Sequence, residues 1–156
     1  ASQKYRHSKL SAIVSINSAM KLRDIKSKMV PGINLWNDLL DKFSLEKGRL
    51  EFIDDEPENP NINYSRNYIK GVYELEKLMT ICEDNLYKIN TPTLVLQSNN
   101  DPIVNPKSAK LIYDKIQISS KKLVEFEADN HVIITSEKRD LVFQEIMNFF
   151  NQHKVI

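Results

Sequence analysis

Residues 93–131 constrain the fold more than any other part of the sequence, because two strand-like runs flank a helical one. The runs are Thr-Leu-Val-Leu-Gln at 93–97 and Lys-Leu-Val-Glu-Phe at 122–126. Between them, four apolar residues recur at the spacing of one helix face: Ala109, Ile112, Tyr113 and Ile116. Parallel strands need a crossover connection of about a dozen residues or more, usually a helix. We therefore predict a β-α-β unit of an α/β fold.

Two polar residues follow the predicted strands. Asp101 lies just past the first strand and His131 just past the second. In an open parallel sheet, chemistry takes place beyond the carboxyl ends of the strands, so an acid and an imidazole are expected at one sheet edge. A carboxylate that orients a general base requires this placement. The plainer interpretation is that Asp101 caps a turn and His131 is a solvated loop residue.

Other segments predict further elements of such a fold. Residues 10–17 are apolar on both faces, which suits a central parallel strand. Pro31-Gly32 predicts an interruption of secondary structure, and a short helix is expected at residues 34–43. Residues 45–63 are polar and acidic but lack the ligand spacing of a calcium loop, so they predict a solvated loop.

Two longer helices are expected in the remaining sequence. One covers residues 65–87, and Cys82 lies on its apolar stripe, where we expect a buried small residue. The other follows Thr135 or Ser136, either of which can act as its N-cap. Its apolar stripe consists of Val142, Ile146, Phe149 and Phe150.

Length and composition exclude several classes of protein. The 156 residues predict a single α/β domain over residues 1–156. With 22 basic and 21 acidic residues, the charge balance argues against nucleic acid as a partner. The one cysteine cannot form an internal disulfide, which favours a reducing, cytoplasmic location. No apolar run approaches the roughly 20 residues of a membrane-spanning helix, and the polar, basic first residues do not resemble a signal peptide.

Glycine is scarce in this sequence. There are 3 glycines, whereas average usage of about 7% predicts about eleven. Enzymes of this fold class need glycine in tight turns and beside ligands. The sequence has no GxGxxG, no P-loop and no Gly-x-Ser-x-Gly motif. We therefore expect neither a nucleotide cofactor nor a metal site, and we expect any glycine-rich catalytic part to lie elsewhere.

Three motifs follow one another in the second half of the chain. They are Ile89-x-Thr-Pro-Thr-Leu-Val-Leu-Gln, Asp101-Pro-Ile-Val-Asn-Pro-x-Ser-Ala and His131-Val-Ile. Together they resemble the C-terminal half of α/β-hydrolase serine esterases, in particular the bacterial carboxylesterase and monoacylglycerol-lipase-like group. The resemblance implies that Asp101 is the acid and His131 the base of a catalytic triad. It also implies that residues 21–88 contain a cap inserted after the sixth strand.

The sequence departs from that family in one large respect. The family's nucleophile elbow and oxyanion hole precede the point that matches Leu10. The resemblance therefore implies the C-terminal part of an α/β-hydrolase fold, with three parallel strands (six to eight), flanking helices and a helical cap. It implies the acid/base half of a serine hydrolase for carboxylic esters, inactive alone, with a small acyl-ester substrate in the complete protein. Residues 10–17 would form an edge strand and pair with a missing N-terminal half or a second copy.

Two other functions stay open at this point. A non-catalytic α/β-hydrolase remnant, used for binding or assembly, would keep the same strands without turnover. A flavodoxin-like binding domain would share the alternation of strands and helices. It would need a phosphate-cradling loop after the first strand, and Asn17-Ser18-Ala19-Met20 is a poor candidate for one.

Overall fold

The computed structural model describes residues 10–23, 29–45, 47–54 and 66–154. In chain order the elements are β1 (Ile13–Ile16), α1 (Val30–Lys42), β2 (Phe52–Asp54), β3 (Arg66–Tyr68), α2 (Ile69–Glu83), β4 (Thr93–Ser98), α3 (Lys107–Lys115), β5 (Lys121–Phe126) and α4 (Arg139–Gln152). Short 3-10 turns lie at Leu86–Lys88 and Ile133–Thr135. The chain divides into two compact units: Ala1–Arg23 with Met79–Ile156 form the first unit, and Asp24–Leu78 form the second unit. The single domain over residues 1–156, with a cap region at 21–88, stays a prediction.

The first unit is built around a three-stranded parallel sheet in the order β1-β4-β5. The central strand β4 is buried along its whole length, because Leu94 and Leu96 point to one face and Val95 to the other. Ile16 pairs with Leu96, and Leu96 pairs with Val124. The three parallel strands expected from the sequence are therefore confirmed, although β1 is shorter than residues 10–17.

A helix covers each face of this sheet. On one face, Leu94 and Leu96 pack with Ile133 and with the α4 residues Val142 and Phe149. On the other face, Val95 and Leu86 pack with three apolar residues on and just after α3: Ala109, Ile112 and Ile116. This layered packing removes apolar side chains from water on both faces of the sheet. The polar residues that follow the strands therefore lie at the edge where the strands end.

The second unit contains α1, the antiparallel pair β2–β3 and the first part of α2. Asn37 of α1 joins the helix to the chain before β2. Its side-chain amide donates to the Leu50 carbonyl and accepts the Leu50 N–H. A buried asparagine is stable here because its side-chain oxygen and nitrogen both have partners.

Two predictions about the second unit were wrong. Pro31-Gly32 does not interrupt the secondary structure but lies in the first turn of α1. Proline suits this position because its φ is already close to the helical value and because the backbone N–H that it lacks would have no partner within the helix. Residues 45–63 are not loop throughout, because Phe52–Asp54 pairs with Arg66–Tyr68 as β2 and β3. That pairing also delays the start of the following helix from residue 65 to Ile69. The acidic residues 55–58 lie outside the described part of the chain.

Two further helix predictions need correction. Cys82 is exposed rather than buried, because the apolar residues of α2 form a stripe that is only partly covered, with Met79 buried and Leu78 exposed. The N-cap of α4 is Lys138, not Thr135 or Ser136. The Ser136 hydroxyl instead accepts the Lys138 N–H in the turn that precedes the helix. In the described ranges no helix is long and apolar enough to cross a membrane.

Candidate active site

Polar residues from three segments meet at the carboxyl edge of the parallel sheet. Asn17 follows β1, Ser98 ends β4, and the turn after Ser98 carries Asp101. His131 lies in the segment that follows β5. Because all three strands run in the same direction, their last residues lie at the same edge.

Asp101 and His131 contact each other at this edge. The distance between Asp101 Oδ2 and His131 Nδ1 is 2.8 Å, within ordinary hydrogen-bond length. The carboxylate can only accept, so Nδ1–H is the donor and Nε2 is the basic nitrogen of the neutral ring. The predicted juxtaposition of an acid and an imidazole is therefore confirmed as geometry.

The Asp101 side chain is fully buried, and both of its oxygens are engaged. Oδ2 faces His131, while Oδ1 accepts the backbone N–H groups of Ile103 and Val104, each at 2.8 Å. A buried carboxylate is costly unless hydrogen-bonded, and these bonds hold it in one orientation. The His131 side chain is 34% exposed, so the ring joins the buried acid to the surface.

The segment after β1 supports the turn that carries Asp101. Leu22 and Val104 form an antiparallel bridge. The Arg23 N–H donates to the Ile103 carbonyl at 2.9 Å, and the Arg23 guanidinium donates to the Asp101 carbonyl at 2.6 Å. The Ser108 hydroxyl accepts the N–H of Lys21 at 2.9 Å, which ties the start of α3 to the same segment. These bonds hold the backbone of the turn that carries Asp101.

Asn17 contacts the chain beside the histidine. Its side-chain oxygen accepts the Ser98 N–H at 2.8 Å, and its side-chain nitrogen donates to the Ser98 hydroxyl at 3.1 Å and to the His131 carbonyl. The Ser98 hydroxyl donates to the Asn130 carbonyl at 2.8 Å. From the sequence, Asn17 was expected only as part of a poor phosphate loop, with no connection to His131. Its position at a strand end was the available signal.

The arrangement can do acid–base chemistry at the imidazole. Asp101 holds the ring in one tautomer, so the ring can take up and return a proton at Nε2. Across the ranges that the structure describes, no three His, Cys, Asp or Glu side chains come together as metal ligands.

The chain is similar to a family of hydrolases described as serine aminopeptidase, S33, which matches residues 5–139. A carboxylesterase of Bacillus subtilis (strain 168) is 33% identical over 78 residues, which are 50% of this chain and 32% of that protein. A thermostable monoacylglycerol lipase of Bacillus sp. (strain H-257) is 24% identical over 150 residues, 94% of this chain and 56% of the lipase. A solved structure of a metagenome-derived lipolytic enzyme superposes with a TM-score of 0.73 at 18% identity, covering 98% of this chain and 59% of the other.

The matches agree on the fold but cover only part of each relative. The structural similarity extends over nearly the whole chain, and it assigns the three-stranded sheet and its helices to the α/β-hydrolase fold. The chain spans 32% and 56% of the lengths of the two curated relatives.

Proposed function

Because this chain belongs to the serine aminopeptidase S33 family of α/β hydrolases, we propose that it supplies the acid and base of a serine hydrolase for carboxylic esters. Asp101 is the acid and His131 the base. The nucleophilic serine and the oxyanion hole lie outside residues 1–156. The observation that carries the proposal is the 2.8 Å contact between the fully buried Asp101 carboxylate and His131 Nδ1.

Each part of the dyad has a distinct task in this mechanism. His131 Nε2 takes the proton from the serine hydroxyl as the serine oxygen bonds to the ester carbonyl carbon. It then gives that proton to the alkoxide oxygen as the bond between the acyl carbon and the alcohol breaks. Water repeats both steps on the acyl-enzyme and regenerates the serine. Asp101 keeps Nδ1 protonated and stabilises the imidazolium that forms in each step.

The sequence supports placing the nucleophile elsewhere. It contains no Gly-x-Ser-x-Gly motif, which is the turn that exposes the nucleophile in this fold. Ser98 follows no such turn, and its hydroxyl donates to the Asn130 carbonyl rather than to a histidine nitrogen. Ser15 donates to the Ser18 hydroxyl. Neither arrangement activates a serine, because activation needs a base that accepts the hydroxyl proton.

Carboxylic esters are the proposed substrate class. The two curated relatives are named as a carboxylesterase and a monoacylglycerol lipase, and both names describe cleavage of an acyl–oxygen bond. Cleavage of an ester by a serine needs a base that passes one proton from the serine to the leaving alcohol, and the His131 ring can perform that task. Backbone N–H donors supplied with the nucleophile would stabilise the oxyanion.

A chimeric enzyme tests the proposal directly. This chain replaces the part of the Bacillus sp. monoacylglycerol lipase that it matches, 56% of the lipase's length, and the lipase keeps the rest of its sequence. We expect the chimera to hydrolyse a p-nitrophenyl ester. In a triad protease, loss of the base costs about 10⁶-fold in kcat and loss of the acid about 10⁴-fold. His131→Gln and Asp101→Asn should therefore reduce the chimera's kcat by comparable factors.

The matched control exchanges the other imidazole in the described part of the first unit, His153→Gln. His153 lies at the C-terminus of α4 and packs against Phe149, with ring centroids 4.5 Å apart and ring planes tilted by 54°. This change should leave kcat within about two-fold, because the imidazole beside the Asp101 carboxylate is that of His131. A chimera that is folded by circular dichroism but inactive would contradict the proposal. Equal activity of the His131→Gln and His153→Gln chimeras would also contradict it.

A further inference from the structure

Asn17 has an unusual position for a polar residue. It is the first residue after β1, it is 4% exposed, and its φ of 42° lies in the left-handed region. Its backbone N–H donates to the Leu96 carbonyl at 2.9 Å, which extends the parallel ladder by one step. Asparagine is one of the few residues with a side chain that tolerate this backbone region. The side chain is therefore held at one place at the end of the sheet.

The hydrogen-bond partners of the side-chain amide determine which way it faces. The Ser98 backbone N–H can only donate, so the atom 2.8 Å from it is the Asn17 oxygen. The His131 backbone carbonyl can only accept, so the atom beside it is the Asn17 nitrogen. The same nitrogen donates to the Ser98 hydroxyl at 3.1 Å and lies 3.5 Å from the Asn130 carbonyl. No flipped amide satisfies both backbone partners.

This amide links the end of the central strand to the backbone of the histidine. Ser98 is the last residue of β4, which is fully buried. His131 has no regular secondary structure of its own and follows β5 by several residues. The His131 carbonyl accepts a bond from Asn17 and the neighbouring Asn130 carbonyl accepts one from Ser98, so non-local bonds hold the backbone beside the ring.

We propose that Asn17 is a positioning residue of the acid–base dyad. By holding the His131 carbonyl, its side chain keeps Nδ1 directed at Asp101 Oδ2 and so maintains the Nδ1–H tautomer. Asn17 does not contact the Asp101 side chain in the hydrogen bonds described above, so it acts through the backbone of the base. Only the expected effect of Asn17 on turnover rests on the proposed function. The effect on the tautomer is a property of this chain alone.

Two substitutions separate the amide donor from the rest of the residue. Asn17→Asp is nearly isosteric and tolerates the left-handed backbone. It can still accept the Ser98 N–H, but it presents an oxygen instead of a donor to the His131 carbonyl. Asn17→Gly accepts the same backbone and removes the side chain. The matched control is Asn99→Asp, because the Asn99 amide donates to Glu127 at 2.7 Å on the exposed side of the same pair of strand ends.

The measurement is the tautomer of the His131 ring in ¹⁵N-labelled protein, read from long-range ¹H–¹⁵N correlation spectra at a pH where the ring is neutral. His131→Gln identifies the His131 signals among those of the three histidines. We expect the original chain and Asn99→Asp to show the Nδ1–H tautomer. We expect both Asn17 variants to shift toward the tautomer mixture of a free imidazole, with at least a roughly five-fold fall in the ratio of Nδ1–H to Nε2–H.

Each other outcome has a definite meaning. If either Asn17 variant is folded and keeps the original tautomer ratio, the inference is overturned while the dyad stands. If the original chain lacks the Nδ1–H tautomer, the proposed function fails and the inference fails with it. If both variants are unfolded by circular dichroism, the inference is also overturned, because Asn17 would then hold the whole sheet rather than the base.

Discussion

Asp101→Asn tests whether the buried acid is held as the structure indicates. Oδ1 accepts two backbone N–H groups at 2.8 Å, and the side chain is fully buried. A hydrogen bond to a charged group contributes about 1.5–3 kcal/mol and a neutral one about 0.5–1.5 kcal/mol. Asparagine keeps both bonds but makes them neutral, so each loses about 1–1.5 kcal/mol. We therefore expect the free energy of unfolding to fall by about 2–3 kcal/mol.

The same substitution reverses the hydrogen bond to the imidazole. If the oxygen of the introduced amide keeps the two backbone N–H bonds, the amide NH₂ faces His131 Nδ1 and can only donate. Nδ1 must then accept, and the ring proton moves to Nε2. This tautomer cannot take a proton from a serine at Nε2, which explains why the acid-to-amide change in a triad costs about 10⁴-fold in kcat.

The assay combines urea denaturation with the tautomer measurement. The control is Asp129→Asn, because the Asp129 carboxylate is exposed and accepts a surface bond from Asn100 at 2.9 Å. Surface substitutions usually change the free energy of unfolding by about 0.5 kcal/mol or less. If Asp101→Asn were as mild as Asp129→Asn, or if His131 kept Nδ1–H, the assigned hydrogen bonds around Asp101 would be wrong.

Three further predictions concern the chain alone. The isolated chain should neither hydrolyse esters nor react with a fluorophosphonate probe; stoichiometric labelling of any serine, Ser98 included, would contradict the missing nucleophile. β1 is an edge of the described three-stranded sheet. Because unprotected edges pair with other chains, self-association remains a prediction. Light scattering after size exclusion tests it, and a stable 18.1 kDa monomer at micromolar concentration would contradict it. Burial raises the pKa of Glu76 above its ordinary value of 4.5 in the folded chain, so ionisation of Glu76 lowers stability progressively as the pH rises from about 4.5 through the raised value. Glu76→Gln should therefore increase the free energy of unfolding near pH 7 but not at about pH 3, and an equal gain at both pH values in urea titrations would refute this.

Local patterns in the sequence predicted most of the first unit. β4 was located because its continuous apolar run reflects burial along its whole length, and α3 and β5 were located because their apolar residues mark the sides that pack into the protein. Asp101 and His131 could be paired before the structure was known, since residues that end consecutive parallel strands lie at one edge. The family resemblance then suggested a role for each residue.

Local patterns failed where contacts between distant segments decide the structure. β2 and β3 have three residues each, too few to show a period, and they form because they pair with each other. The apolar stripe of α2 predicted burial of Cys82, but a stripe does not reveal which of its residues another element covers. Pro31 illustrates a related limit, because proline both breaks helices and begins them.

The sequence by itself determined the order of strands and helices in the first unit, the parallel sheet, and which acid and which imidazole meet at its edge. These depend on burial patterns and turn positions within short windows. Only the tertiary structure decided how the dyad is held, because that support comes from residues far away in the sequence. Asn17 reaches the His131 carbonyl across 114 residues, and Arg23 reaches the Asp101 carbonyl across 78. An asparagine or arginine in a loop carries no periodic signal, and its partner is known only when the sheet brings the two segments together.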